Sequence, residues 1–247
     1  ATPLKFEYNN YFGFQETTRT LPVLNATEYS LLTNESFAAG GKQIPYPTIA
    51  DLGQGTNWQK EVFQKAPITN HDISIRGGGD KSTYSIGFSA FDQDGIVGGD
   101  KASFKRLTGR INYNVELIDG LDLKANIIYA NTQRKTLPEN SIGSLLYNAI
   151  NMPPTLSPYD DNGDFTRATD LGNEVVNPLK QKDLSLNLTT ADRFSGVLGL
   201  KYDILPELNV EANYQGNYTE VFGQYFSPTS DYGCLLYTSP SPRDFQV

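Results

Sequence analysis

The sequence has little of several residue types on which enzymes and metal proteins depend. Its 247 residues include a single Cys, a single His, a single Met and a single Trp. One Cys excludes an intramolecular disulfide, and one His excludes a His-rich metal site. With one His, and one Cys that lies in an atypical tail, no Ser-His-Asp or Cys-His set is credible. No run of about 18 apolar residues occurs, which excludes a transmembrane helix. We therefore predict no catalytic residues, no metal site, no cofactor and no enzyme activity.

Basic charge is also scarce. The net charge is −8 and the isoelectric point is near 4.7, whereas nucleic-acid binders present basic surfaces, so we predict no nucleic-acid partner. The N-terminal stretch ATPLKFEYNN has no basic segment followed by an apolar core. The chain therefore shows no signal peptide, and its first residue need not be the natural start.

The residues that are abundant favour strands and turns, with 15 Tyr, 13 Phe and 22 Gly. Alternation of apolar and polar side chains is the dominant pattern; in one segment, Leu107, Ile111 and Tyr113 alternate with polar residues such as Asn112. Successive side chains of a strand point to opposite faces, so each such segment predicts a strand with one apolar and one polar face. About seven segments show the pattern: Leu4–Phe14, His71–Arg76, Thr83–Phe91, Phe104–Val115, Leu121–Ala130, Phe194–Ile204 and Leu208–Val221.

The lengths of the strands and of their connections indicate a fold. Several segments reach about ten residues, enough for a tilted strand to cross a bilayer. Tight links (GGGDKS, IDG and LPE) alternate with long ones, predicted at residues 15–70, 92–103 and 132–193. Short turns on one side and long loops on the other are typical of outer-membrane barrels. The predicted fold is all-β: an antiparallel transmembrane β-barrel segment, incomplete because a plugged barrel takes about 22 strands.

The strands are predicted to pair in chain order, as a meander. Short helices are expected within the long loops, at Ser141–Asn151 and at Thr27–Ala38, the latter capped by Thr27 or Asn25. One face is expected to contact lipid, and its predicted members are Leu107, Ile111, Tyr113, Leu123, Ile127, Leu198, Leu200 and Val210. The opposite face is expected to line the lumen, with Arg106, Arg110, Lys124, Asn126, Lys201, Glu211 and Asn213.

One long segment carries a family resemblance. The stretch from Asn57 to Val97, NWQKEVFQKAPITNHDISIRGGGDKSTYSIGFSAFDQDGIV, resembles the SusC/RagA family of TonB-linked outer-membrane proteins. The segment Met152–Phe165 resembles an extracellular loop of that family, and the likeness spans roughly Leu4 to Gly233. The residues that match the family pattern are Thr56, Trp58, Ala66, Pro67, Asn70, His71, Gly77, Gly78, Tyr84, Asp92, Gln93, Gly95, Ile96, Phe104, Lys105, Arg106 and Arg110.

The resemblance implies a function and a set of partners. It implies active import of oligosaccharides or peptides across the cell outer membrane, with a SusD-like surface lipoprotein, with TonB as the source of force and with outer-membrane lipid around the barrel. The family's plug domain and TonB box have no counterpart here, so we expect this chain alone not to transport. Residues 1–233 are thus predicted to be a partial receptor barrel. The tail 234–247, CLLYTSPSPRDFQV, resembles a translated sequencing adapter and is interpreted as an artefact, the alternative being a genuine Pro-rich loop.

Candidate contact residues are few. Trp58 could stack on a sugar ring from a loop, or could anchor that loop by packing. Arg106 and Arg110 could contact an anionic solute, or could form salt bridges with carboxylates of the plug or wall. The cluster Asp160–Asp164 lacks the spacing of an EF-hand and is better explained as a tight turn.

A second function remains open from the sequence. A secreted β-rich module that binds glycans would also show alternating strands. The two hypotheses differ in the apolar face of the strands, because a barrel exposes that face to lipid while a sandwich buries it against a second sheet.

Overall fold

The computed structural model describes residues 2–138, 142–168 and 175–226, and these residues form a single antiparallel sheet capped by loops. All seven predicted strands are present and pair in chain order, β1-β2-β3-β4-β5-β6-β7, so the predicted meander is confirmed. The strands are β1 (Thr2–Gln15), β2 (Ala66–Gly78), β3 (Ser82–Gly95), β4 (Gly99–Ile118), β5 (Leu121–Lys135), β6 (Leu186–Leu205) and β7 (Leu208–Phe226). The helices are α1 (Ala26–Ala39), α2 (Trp58–Val62), α3 (Leu145–Asn151) and α4 (Pro178–Leu184).

The strands extend beyond their alternating segments, and one predicted loop is wrong. The connection expected at 92–103 is a short hairpin, because β3 continues to Gly95 and β4 already begins at Gly99. Backbone pairing needs no side-chain alternation, so strands continue where the pattern fades. Gly98 and Gly99 have φ of 76° and 61°, the left-handed conformation in which glycine is favoured, and this permits the tight turn.

Both predicted loop helices form. Helix α1 begins after Asn25, which confirms one of the two proposed caps, and α3 begins after Ser144. Ser141, the predicted start of α3, lies outside the described residues, as does the tail 234–247. The two long connections shorten to residues 16–65 and 136–185, because the flanking strands extend into them.

The buried core lies in the loops rather than against the sheet. Helices α2, α3 and α4 pack together at the long-loop end of the strands. Trp58, at 2% exposure, is among the most buried residues of this cluster. The cluster, called the loop core below, comprises Trp58, Val62, Leu137, Leu145, Ala149, Met152 and Val175.

The strand register sorts the side chains onto two faces. Ile86, Ile111 and Ile127 pair directly across β3, β4 and β5 and lie on one face, called the apolar face. All eight residues predicted to share a face do so. Ile111 and Leu198 remain 44% and 49% exposed, and no second sheet exists among the described residues to cover them. The burial expected of a sandwich is therefore not seen in this part of the chain.

No helix in the described ranges is long and apolar enough to cross a membrane.

Candidate functional site

The face opposite the apolar face, called the polar face, is linked by ion pairs between strands. Arg76 of β2 lies 2.7 Å from Glu7 of β1, and Arg110 of β4 lies 3.0 Å from Asp72 of β2. These pairs are substantially exposed, so each contributes little to stability. They fix charged groups at set positions along a polar wall.

The two arginines predicted as contact residues differ in their surroundings. Both lie on the polar face, as predicted. Arg110 is occupied by Asp72, whereas Arg106 has no ion pair among the described residues and its guanidinium carbon lies 5.7 Å from the centre of the Phe91 ring. Of these two arginines, Arg106 is therefore the one whose guanidinium N–H groups are available to hydrogen-bond a solute.

Trp58 is placed where its ring cannot stack on a sugar in this conformation. The ring is buried in the loop core, and its Nε1 donates a hydrogen bond of 2.9 Å to the carbonyl oxygen of Pro153. This position favours the anchoring role, one of the two roles that the sequence left open for Trp58.

The anchor joins the two long loops. Thr56 N donates a 2.8 Å bond to the carbonyl of Pro154, and the hydroxyls of Tyr46 and Thr155 lie 3.1 Å apart. Burial raises the pKa of Tyr46, and the bond to Thr155 opposes that shift. The described parts of loops 16–65 and 136–185 are therefore joined to each other over the strand ends.

The remaining motifs have structural roles. Asp160 Oδ1 accepts bonds of 2.9 Å from the backbone N–H groups of both Asn162 and Asp164, as a tight Asx turn does. The segment after β2 is the tight hairpin expected of GGGD, closed by a 2.8 Å bond from Gly79 N to the carbonyl of Ser82.

His71 and the short-turn end show local pairing as well. His71 Nδ1 lies 2.8 Å from the hydroxyl of Tyr8, which suits a hydrogen-bonded structural residue. In the β2–β3 turn, Lys81 Nζ lies 3.2 Å from Asp119 and 3.4 Å from Glu116. The hydrogen bond to Asp119, with the charge of Glu116, raises the pKa of Lys81.

Sequence reasoning missed a cluster at the long-loop end of the polar face. Phe104 pairs with Arg134 across β4 and β5, and with Gln93 across β3 and β4. Phe104 also lies 5.9 Å from Phe91, measured between ring centres. Gln93, Phe104 and Arg134 border a cleft of about 420 Å³ beneath the loops. The alternation of Arg134 with its neighbours could have placed it on the polar face, but its contact with Phe104 depends on strand register.

A one-sheet wall with an unburied apolar face, a polar face and a loop cap defines the class: a segment of a large antiparallel β-barrel.

Sequence comparison finds curated relatives of one kind. The chain is 27% identical to the TonB-dependent receptor SusC of Bacteroides thetaiotaomicron, over 86% of this chain and 22% of that protein. It is 27% identical to the TonB-dependent receptor P26 of Formosa agariphila, over 78% of this chain and 19% of that protein. The chain thus spans about a fifth of the length of these relatives. No family model matches.

Structural comparison finds solved structures with a similar fold. The RagAB peptide importer in its closed-closed state superimposes with a TM-score of 0.76 at 19% identity, over 96% of this chain and 30% of that chain. The open-open state gives a TM-score of 0.73 at 18% identity, over 96% of this chain and 30% of that chain. The chain is thus similar in sequence to TonB-dependent receptors and similar in fold to part of the RagAB importer, in agreement with the family that its motifs resemble.

Proposed function

We propose that this chain forms part of the wall and surface loops of an importer in the cell outer membrane that takes up oligosaccharides or peptides. One observation carries the proposal: a single sheet leaves a wide apolar face uncovered and presents a continuous polar face on its other side. In hydrocarbon every backbone group needs an internal partner, which a closed barrel provides. An apolar exterior and a polar lumen are the arrangement that such a barrel requires.

The proposal assigns a place to each part of the chain. Residues 1–233 form one section of a larger barrel, the long loops face the cell exterior, and residues 234–247 are unrelated to the receptor. A lumen that is plugged does not pass large substrates by diffusion, so force must remodel the plug. TonB supplies that force through a region outside this chain, and a SusD-like lipoprotein covers the loops.

Transport is proposed in preference to catalysis. The polar face carries ion pairs and amides spread along the wall, which suit a passage for solutes.

The proposal is tested by deleting the complete gene in its source bacterium and measuring uptake of labelled maltooligosaccharides and of a labelled peptide mixture. We expect uptake of one of the two pools to fall to the level of a strain that lacks TonB. Complementation with the complete gene should restore it, and the protein should be recovered in the outer-membrane fraction. Unchanged uptake of both pools, or recovery only in the culture medium, would contradict the proposal.

A further inference from the structure

We propose that the polar face binds a carboxylate group of an oligopeptide substrate, at a site formed by Phe91, Phe104, Arg106 and Arg134. This inference rests on the proposed function and gives it a substrate class. The four residues are called the two-arginine site. They come from three neighbouring strands, β3, β4 and β5, and all four lie on the polar face.

The register places two arginines beside an aromatic pair. Phe104 and Arg106 are two positions apart on β4 and so point to the same side. Arg134 stands opposite Phe104 in the register, and Phe91 stands opposite Arg106. The Phe91 and Phe104 rings are 5.9 Å apart at an angle of 59°, with the Arg106 guanidinium 5.7 Å from the Phe91 centre.

The charges of this site are not compensated. Arg76 and Arg110, on the same face, have carboxylate oxygens at 2.7 Å and 3.0 Å. Neither Arg106 nor Arg134 has a carboxylate partner within the described part of the chain, and both side chains are exposed. A guanidinium presents five donors in a planar fork that matches a carboxylate with two parallel hydrogen bonds. Two such groups beside an apolar surface form a receptive site for an anion.

The cleft beside the site supplies the other contacts that a peptide needs. It holds about 420 Å³ and is bordered by Gln15, Gln93, Phe104 and Arg134, together with the charged Asp94 and Lys135 and with Leu145 of the loop core. Gln93 Nε2 donates a 2.9 Å bond to Gln15 Oε1, which leaves further amide donors and acceptors free for a peptide backbone. The cleft lies between the loop core and the wall, where a solute would pass from the loops into the lumen.

A peptide fits this site better than a sugar. Stacking on a pyranose needs an open aromatic face, but both Phe rings are half-buried and Arg106 covers Phe91. The one Trp of the sequence is buried in the loop core. Amides, an apolar wall and guanidinium groups match the backbone, side chains and carboxylates of an extended peptide.

The test uses the complete receptor, purified in detergent, and two fluorescein-labelled pentapeptides of equal size. One contains Glu and a free C-terminus; the other contains Gln and a C-terminal amide. Fluorescence anisotropy should show that the acidic peptide binds about tenfold more tightly, as expected for one charge-assisted bidentate contact. The double variant Arg106→Gln, Arg134→Gln should reduce this ratio to about one. The acidic peptide then loses its charge-assisted contact, whereas the neutral peptide has no such contact to lose.

Controls separate charge recognition from misfolding. Arg76→Gln removes a guanidinium from the same face, but one already paired with Glu7, and should keep the preference for the acidic peptide. Binding of the neutral peptide should be unchanged in the double variant, which shows that its site is intact. Arg106→Lys with Arg134→Lys keeps both charges but not the fork, and should give an intermediate ratio.

Three results would overturn the inference. The first is equal binding of both peptides by the wild-type receptor. The second is a double variant that keeps the preference for the acidic peptide. The third is a trigalacturonate that binds where the acidic peptide does not. If deletion of the gene lowers uptake as expected and only the charge preference is missing, the two-arginine site alone is wrong. If deletion leaves uptake of both pools unchanged as well, the proposed function and this inference fail together.

Discussion

At the scale of the residue, a new charge should be costly to stability on the apolar face of β4 and tolerated on its polar face. Ile111 lies on the apolar face between Ile86 and Ile127, while its neighbour Asn112 lies on the polar face between Ser85 and Asn126. In the complete receptor, Ile111→Arg should lower the free energy of unfolding by about 2–4 kcal/mol near the bilayer midplane, because the charge must be desolvated in hydrocarbon. Asn112→Arg should cost much less, because that position meets water.

The measurement is refolding into lipid vesicles followed by denaturant titration of each variant. Leu198→Arg, on the apolar face of β6, should behave as Ile111→Arg does. Equal losses of unfolding free energy for Ile111→Arg and Asn112→Arg would show that the faces are assigned wrongly. Stability is a better measurement than uptake, because a new charge in the lumen can also alter contacts with a plug.

At the scale of the element, α1 depends on its cap more than on packing. Asn25 Oδ1 accepts a 2.9 Å bond from Glu28 N, and Glu28 Oε2 accepts a 3.0 Å bond from Asn25 N, a reciprocal capping box. Only Ala26 and Ser30 of this helix are buried. Asn25→Ala should destabilise α1 by about 1 kcal/mol, which corresponds to roughly fivefold faster amide exchange if the helix opens locally.

Hydrogen exchange of the α1 amides in the complete receptor provides the measurement. Glu35→Ala is the matched control, because Glu35 lies on the exposed side of the same helix and makes no cap contact. Faster exchange in both variants, or in neither, would mean that the capping box does not control the opening of α1.

At the scale of the whole molecule, the sheet of the described residues has two open edges, β1 and β7. Each edge presents unpaired backbone N–H and C=O groups, which hydrocarbon does not tolerate and which promote association in water. We expect the isolated chain to aggregate, or to associate with vesicles without becoming resistant to protease. The complete receptor, refolded in parallel, should become resistant. A protease-resistant monomer of the isolated chain would contradict the assignment of these strands to a larger barrel.

The sequence by itself determined the strands, their order and their two faces. A strand repeats every two residues, so local alternation around Ile111 or Leu198 was enough to assign a face, and short Gly-containing links fixed neighbouring strands as hairpins. The cap of α1 was likewise local, since Asn25 and Glu28 are three residues apart. Each of these features depends on residues close together in the chain.

Only the tertiary structure decided which side chains are available to a solute. Arg106 and Arg110 look alike in sequence, yet register brings Asp72 to Arg110 and an aromatic ring to Arg106. Trp58 is buried because residues near Pro153, 95 positions along the chain, close over it. Arg134 joins the site through its pairing with Phe104. Contacts between distant residues depend on strand register and loop packing, which no local pattern specifies.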